Sequence, residues 1–244
     1  VASELVPPDV TDADAVHHSV GVVVVAAGSG SRLGADRPKA FVGLAGQTLL
    51  ERALDGALAA GASSLVVVVP AELVDEARVI VERVSGCGCA TTTVVAGGAE
   101  RTDSVRAGLA ALDPACDIVL VHDAARCLTP VAVFERVISA VAEGAAGAVP
   151  GIPVVDTVKT VDGRGVITGT PDRAALRAVQ TPQGFAAAVL RAAYSADLRA
   201  TDDAALVELS GHDVVVVDGD ALAFKITTAE DLERAHALAT KEGR

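Results

Sequence analysis

At 244 residues the chain has room for one large α/β domain, and a second independent domain is not expected. Hydrophobic residues make up 51% of it but aromatics only 2%, so its core is built from Val and Ala. A formal net charge of −12 argues against nucleic acid or an anionic membrane surface as a partner, and no run of about 18 apolar residues is present to span a bilayer.

Residues 1–19 are acidic, contain two prolines and lack the basic and apolar regions of a signal peptide. They read as a disordered leader ahead of a single domain over residues 20–244. The four cysteines are Cys87, Cys89, Cys116 and Cys127, and the Cys87-Gly88-Cys89 run lacks the second pair that a zinc site needs. Free thiols in a reducing cytoplasm are expected.

The stretch from Val22 to Phe41 organises the rest. Four valines in a row suit a strand buried on both faces, and Ala26-Ala27 lead into a glycine-punctuated turn. Gly28 and Gly30 let the backbone turn and bring amide groups close to an anion, while Arg32, Arg37 and Lys39 add positive charge. A glycine turn after a strand is by itself an ordinary β-α connection, so the spacing decides. Gly28, Gly30 and Gly34 miss the dinucleotide fingerprint by one position, and Lys39 lies outside any Walker A frame, with Pro38 opposing a helix there. Strand, A-A-G-x-G-x-R-L-G, then P-K resembles the loop of nucleotidyltransferases that move NMP from an NTP onto a phosphate. If so acidic a chain binds a polyphosphate, its few basic residues converge there and a divalent cation screens the rest.

Helices over Gln47 to Ala60 and from about Ala71 to Val84 flank a strand at Ser64 to Val69, an alternation that predicts a parallel sheet with right-handed crossovers. A third strand, Thr91 to Ala96, runs into Gly97-Gly98-Ala99-Glu100-Arg101-Thr102-Asp103-Ser104, where the Asp103-Ser104 pair is expected to cap the next helix. A fourth strand, Asp117 to Val121, ends in His122-Asp123-Ala124-Ala125-Arg126. Ligands of open α/β sheets collect at the carboxyl ends of strands, so Asp123 is placed to face the same crevice and suits Mg²⁺. Arg126 either holds a substrate phosphate or pairs with Asp123, and His122 is read as structural.

After a helix from about Pro130 to Ala142 and a short strand near Ala148 the pattern changes. Two β-rich runs in residues 153–171 surround Asp162-Gly163-Arg164-Gly165, which predicts a hairpin arm. The arm packs either on a second subunit or on the sheet edge. The return through Gln180-Thr181-Pro182-Gln183-Gly184-Phe185 leads to an Ala-rich helix, and Thr201 is the expected N-cap of the next, with Asp202 and Asp203 on its dipole. A strand over Val214 to Val217 precedes Lys225, and Thr228 and Asp231 have capping-box spacing for the last helix.

Taken together, AAGSGSRLGADRPKAF, GGAERTDSVRAGL, VHDAAR, PVVDTVK, TPQGF, TDDAAL and FKITTAEDL resemble, in order and spacing, the 2-C-methyl-D-erythritol 4-phosphate cytidylyltransferase family of the non-mevalonate isoprenoid pathway. The resemblance implies a Rossmann-like, mostly parallel sheet flanked by helices with a protruding β-hairpin arm. CTP and methylerythritol phosphate are the implied substrates, Mg²⁺ the implied cofactor. Ala26, Ala27, Gly28 and Gly30 would lie at the phosphates and Gly98, Ala99 and Ser104 near cytosine. Arg32 and Lys39 would stabilise charge at the α-phosphorus, and Asp123 would bind the metal. Thr157, Arg173, Thr181, Thr201 and Lys225 would hold the acceptor, with Ala124 and Arg126 also among the substrate contacts. The arm of a homodimer would carry Thr157 and Arg173 to the neighbouring site.

The chain departs from the family pattern at Val155, where many relatives have Arg, at Cys127, where Pro is frequent, and at Ala99, where Asp is common. Any cytosine contact at Ala99 is therefore expected through backbone. A cytidylyltransferase for another polyol phosphate, such as ribitol 5-phosphate, shares most of these motifs. A non-catalytic nucleotide-binding module would not require Arg32, Lys39, Asp123, Arg173 and Lys225 together.

Overall fold

The computed structural model describes residues 18–28, 33–34, 37–86, 88, 90–196, 198 and 200–242. The proposed leader up to residue 17, Gly30, Arg32, Cys87 and Cys89 lie outside the described residues. In chain order the elements are β1 (Val20–Val25), β2 (Gly43–Leu44), β3 (Gln47–Thr48), α1 (Leu49–Ala59), β4 (Ser64–Val69), α2 (Val74–Val84), β5 (Thr91–Ala96), α3 (Arg101–Ala111), β6 (Ile118–Asp123) and α4 (Val131–Ala142). They continue with β7 (Gly147–Pro153), β8 (Thr160–Val161), β9 (Ile167–Gly169), β10 (Arg177–Val179), β11 (Gln183–Ala186), α5 (Ala187–Ser195), α6 (Asp203–Leu209), β12 (Val214–Asp218) and α7 (Ala229–Glu242).

In the main sheet β10 and β11 pair in succession along one side of β7 and β12 along its other side, and from β11 the order continues β6-β1-β4-β5. β1, β4, β5 and β6 pair in parallel, as do β7 and β12, while β10 and β11 run antiparallel to their neighbours. The mostly parallel sheet flanked by helices is the expected α/β fold. The valine run explains its centre: Val22 and Val24 of β1 face one layer, with Leu50 and Leu54 of α1 and Phe134 of α4, while Val23 faces the other with Val105 and Leu109 of α3. Alternate side chains of a strand point to opposite faces, so a strand covered on both sides must be apolar throughout.

Two features position the site. From β1 the chain moves outward to β4 and β5, then returns to the opposite side of β1 to form β6. The carboxyl ends of β1 and β6 therefore lie side by side at the point where strand order reverses, with Val25 paired to Asp123. Second, β10 and β11 follow the same side of β7 in different registers, Val179 opposite Gly151 and Gly184 opposite Ala148. The segment between them leaves the ladder beside Asp123, and Thr181 there accepts the Asp123 N–H through its hydroxyl at 3.0 Å.

Several boundaries differ from the sequence reading. His122 and Asp123 belong to β6 itself and do not follow it. Helix α3 starts earlier than expected, at Arg101, with Glu100 as its N-cap; Asp103 does cap it, as the third residue of a capping box that accepts from the Glu100 N–H at 3.2 Å, whereas Ser104 does not. The N-cap of α6 is Asp202, accepting from the Ala205 N–H at 3.0 Å, and not Thr201. The return segment forms β10 and β11, two strands that the sequence reading did not separate. The capping box of α7 is present, with Asp231 N–H on Thr228 Oγ1 at 3.2 Å and Thr228 N–H on Asp231 Oδ2 at 2.9 Å. The arm is a two-stranded sheet of its own, β8 with β9, rather than an addition to the sheet edge.

Candidate active site

A cleft of about 190 Å³ opens at the carboxyl ends of β1, β5 and β6. Its first wall is the loop after β1. The Ala26 N–H extends the β1–β4 ladder onto the Val68 carbonyl at 2.7 Å, so Ala26, Ala27 and Gly28 leave the sheet in a fixed direction and line the cleft. Lys39 lines it from a short 3-10 turn, Lys39–Phe41, anchored by the buried Ala40 and Phe41.

The second wall is the β5–α3 loop. A Cβ on Gly97 would stand 2.6 Å from Ala27 Cβ and 2.7 Å from Ser104 Oγ, so this loop reaches the first only as glycine. At Gly98 an added Cβ would meet Asp103 Cβ at 2.3 Å. Gly98, Ala99 and Ser104 line the cleft, and the buried Ser104 hydroxyl donates to the Glu100 carbonyl at 3.2 Å while accepting from the Gly98 N–H at 3.3 Å.

Asp123, with Ala124 beside it, forms the floor. Its carboxylate accepts from Lys225 Nζ at 2.7 Å and from Arg101 Nε at 3.3 Å. Burial pushes the Asp123 carboxyl up, but Arg101 and then Lys225 outweigh it and hold the group far below the usual carboxylate range. Lys225 is delivered by the segment ahead of α7: the Ile226 N–H donates to the Ala125 carbonyl at 2.9 Å and the Ile226 side chain is buried in the core. The cleft thus gathers Lys39, Arg101 and Lys225 on a chain with a net charge of −12, as a polyphosphate site requires.

Arg101 is the cleft residue that sequence reading missed. Its motif was legible, but its role depends on Asp203, 102 positions away, whose carboxylate takes the Arg101 Nη2 at 2.8 Å. Burial works against the Arg101 charge, and Asp203 and Asp123 more than offset it, so its pKa is raised. The local signal was a cation at the first residue of a helix, where the helix dipole disfavours it.

Other expected contacts stand elsewhere. Arg126 does not pair with Asp123; it donates to the Ala223 carbonyl at 2.7 Å and the Val179 carbonyl at 3.3 Å, bracing the Lys225 segment against β10. Thr181 is buried, its hydroxyl shared between the Asp123 N–H and His122 Nδ1 at 3.1 Å. Burial lowers the His122 pKa to about 4, so the ring is neutral, packed 4.9 Å from the Phe134 ring, which agrees with a structural part. Thr157, Arg173 and Thr201 are exposed and do not line the cleft; Arg173 donates to the Val155 carbonyl at 2.6 Å. Cys116 and Cys127 are buried free thiols, and burial pushes the Cys127 thiol up to about 12.

Among the described residues no group of three or more His, Cys, Asp or Glu side chains is arranged to hold a metal. A metal held by one carboxylate still fits: each Asp123 oxygen has one bonded cation and a second lone pair, and Mg²⁺ commonly takes one or two carboxylates with phosphate oxygens and water.

A cationic cleft at a strand-order switch, walled by loops of small residues, suits a phosphate-bearing ligand and transfer chemistry driven by charge stabilisation, the class to which nucleotidyltransferases belong. Comparison narrows the class. Residues 20–241 match the family model for 2-C-methyl-D-erythritol 4-phosphate cytidylyltransferase, IspD. The enzymes of that name from Nocardia farcinica and Rhodococcus jostii are 56% and 55% identical over 221 residues, which is 90% of this chain and 94% of each relative. The crystal structure of the Thermus thermophilus enzyme of that name aligns with a TM-score of 0.72 at 36% identity, covering 91% of this chain and 99% of that one. The 4-diphosphocytidyl-2C-methyl-D-erythritol synthase of Anaerococcus prevotii aligns with a TM-score of 0.80 at 28% identity over the same shares. The chain belongs to the 2-C-methyl-D-erythritol 4-phosphate cytidylyltransferase family, and is a cytidylyltransferase of isoprenoid biosynthesis.

Proposed function

We propose that the chain transfers CMP from CTP to 2-C-methyl-D-erythritol 4-phosphate, giving 4-diphosphocytidyl-2-C-methyl-D-erythritol and pyrophosphate, in the cleft between β1, β5 and β6. The observation that carries this reading is the convergence of Lys39, Arg101, Asp123 and Lys225 at the carboxyl ends of strands whose loops are trimmed to glycine and alanine. Ala26, Ala27, Gly28 and Gly30 receive the triphosphate. Gly98, Ala99 and Ser104 receive the cytosine, with Ala99 offering only its backbone for polar contacts.

The acceptor is a phosphate monoester whose second pKa, near ~6, leaves it largely dianionic at neutral pH. It needs no general base. The task is to bring two anions into line and to neutralise charge on the α-phosphate and on the departing pyrophosphate. Arg32 and Lys39 serve the α-phosphate. Lys225, Thr181, Thr201, Ala124 and Arg126 form the acceptor side, which Thr157 and Arg173 complete from a neighbouring subunit. Asp123 holds a divalent ion, assigned as Mg²⁺, which when bound supplies further positive charge at the triphosphate.

The assembly proposed is a cytoplasmic homodimer joined through the arm. Val161 and Ile167 of the arm are 57% and 59% exposed, and an isolated hairpin is only marginally stable in water. The thiols at Cys116 and Cys127 accord with a reducing compartment. Among the described residues no helix is long and apolar enough to cross a membrane. Ile167→Asp is expected to sediment as a monomer and to lose turnover with it, and a variant that sediments as a dimer contradicts the assignment of the arm.

The substrate assignment is tested by pyrophosphate release with Mg²⁺, each of the four nucleoside triphosphates, and either methylerythritol 4-phosphate or ribitol 5-phosphate. Release confined to CTP with methylerythritol phosphate supports it. Release with ribitol phosphate instead keeps the chemistry and moves the acceptor. CTP binding without release in any combination favours the non-catalytic module.

A further inference from the structure

Behind the cleft wall a buried polar chain leads from Tyr194 and Asp203, which touch no assigned substrate, to Arg101 and Asp123 in the cleft. Asp203, the first residue of α6, has no solvent exposure. One of its oxygens takes Arg101 Nη2 at 2.8 Å and the other takes the Tyr194 hydroxyl from α5. Burial and the neighbouring Asp203 carboxylate both raise the Tyr194 pKa, so the phenol stays protonated and donates. The start of α6 is fixed independently: the Gln183 side chain of β11 donates to Asp202 at 3.0 Å and accepts from the Ala204 N–H at 3.1 Å. Asp203 is therefore tied to β11, which pairs directly with β6 and so with the strand that carries Asp123.

This chain contains two carboxylates and two cations, Asp203, Asp123, Arg101 and Lys225, and is balanced in charge. A guanidinium fork is shaped to grip a carboxylate through two parallel bonds. Here Arg101 gives Asp123 only Nε, while Nη2 turns to Asp203 and Nη1 is buried without a hydrogen-bond partner among the described residues.

We infer that Asp203 and Tyr194 are positioning residues: by holding Arg101 to a single bond with Asp123, they fix the carboxylate so that its second oxygen serves Lys225 and the cleft. The inference rests on the reading of Asp123 as part of the active site.

The test compares Asp203→Asn, Tyr194→Phe, Arg101→Lys and Asp123→Asn, each in the full chain, with folding checked by circular dichroism and thermal melting. CTP affinity is measured by calorimetry without acceptor. Asp203→Asn is expected to lose roughly tenfold to a hundredfold in kcat, since displacing a reacting group by about 1 Å can cost that much, while CTP affinity stays near that of the parent. Tyr194→Phe removes one hydrogen bond and is expected to lose about threefold to tenfold in kcat. Combining Arg101→Lys with Asp203→Asn should cost no more than the worse single change, because both act through one link. Losses that multiply, or parental kcat in a folded Asp203→Asn, would overturn the inference. If Asp203→Asn does not fold, parental kcat in Tyr194→Phe overturns it equally. Parental turnover in Asp123→Asn would instead remove the reading of the cleft on which the inference stands.

Discussion

Lys39→Ala is expected to lower kcat by about two to three orders of magnitude, the usual cost of removing one preorganised donor from developing phosphate charge. Its fold should survive, because the 3-10 turn carrying Lys39 is held by the buried Ala40 and Phe41, which the substitution leaves in place. The reaction has no proton transfer to lose, so the deficit is electrostatic. Single-turnover measurement of pyrophosphate release separates it from product release. Turnover within a few-fold of the parent would remove Lys39 from the transition state.

Asp123→Asn is expected to fail in two ways. Activity falls by at least about two orders of magnitude, since an amide cannot supply the charge that Lys225 and Arg101 now face and is a weaker metal ligand. Stability falls as well. Removing one partner of a fully buried ion pair costs about 3–5 kcal/mol. Here the Arg101 and Lys225 side chains are 29% and 43% exposed, so solvent screens part of the loss and about 2 kcal/mol is expected. The sign with pH follows from the lowered Asp123 pKa. Its contribution is complete above the unfolded carboxyl pKa near ~4 and is lost as pH falls through the lower folded value. The gap in melting temperature between parent and variant should therefore be constant from neutral pH down to about 4 and narrow below it. A gap that widens on acidification contradicts the ion-pair account.

The strands of the central sheet were legible because runs such as Val22–Val25 and Val66–Val69 leave no polar residue for a solvent face. The glycine-bordered loops were legible because each ends such a run. What sequence did not give is the pairing of residues far apart. Thr201, Asp202 and Asp203 are three acceptable starts for one helix, and the choice falls to Asp202 once Gln183 bonds it and Arg101 and Tyr194 bind Asp203. The strand β11 was obscured by Pro182 and Gly184. In the fold, Pro182 lies just ahead of the strand, and a Cβ on Gly184 would meet Val137 Cγ1 at 2.4 Å, so glycine there marks close packing against α4. Arg126 reads as a ligand residue in a loop, and its further part as a brace shows only where the fold brings it to the carbonyls of Ala223 and Val179.

The most direct measurement is an experimental structure with CTP and Mg²⁺ bound. The triphosphate is expected against Ala26, Ala27 and Gly28 within reach of Lys39, the base beside Gly98 to Ser104, and the metal on Asp123. CTP bound away from the β1–β6 switch point, or in the cleft with base and triphosphate exchanged, would contradict that expectation.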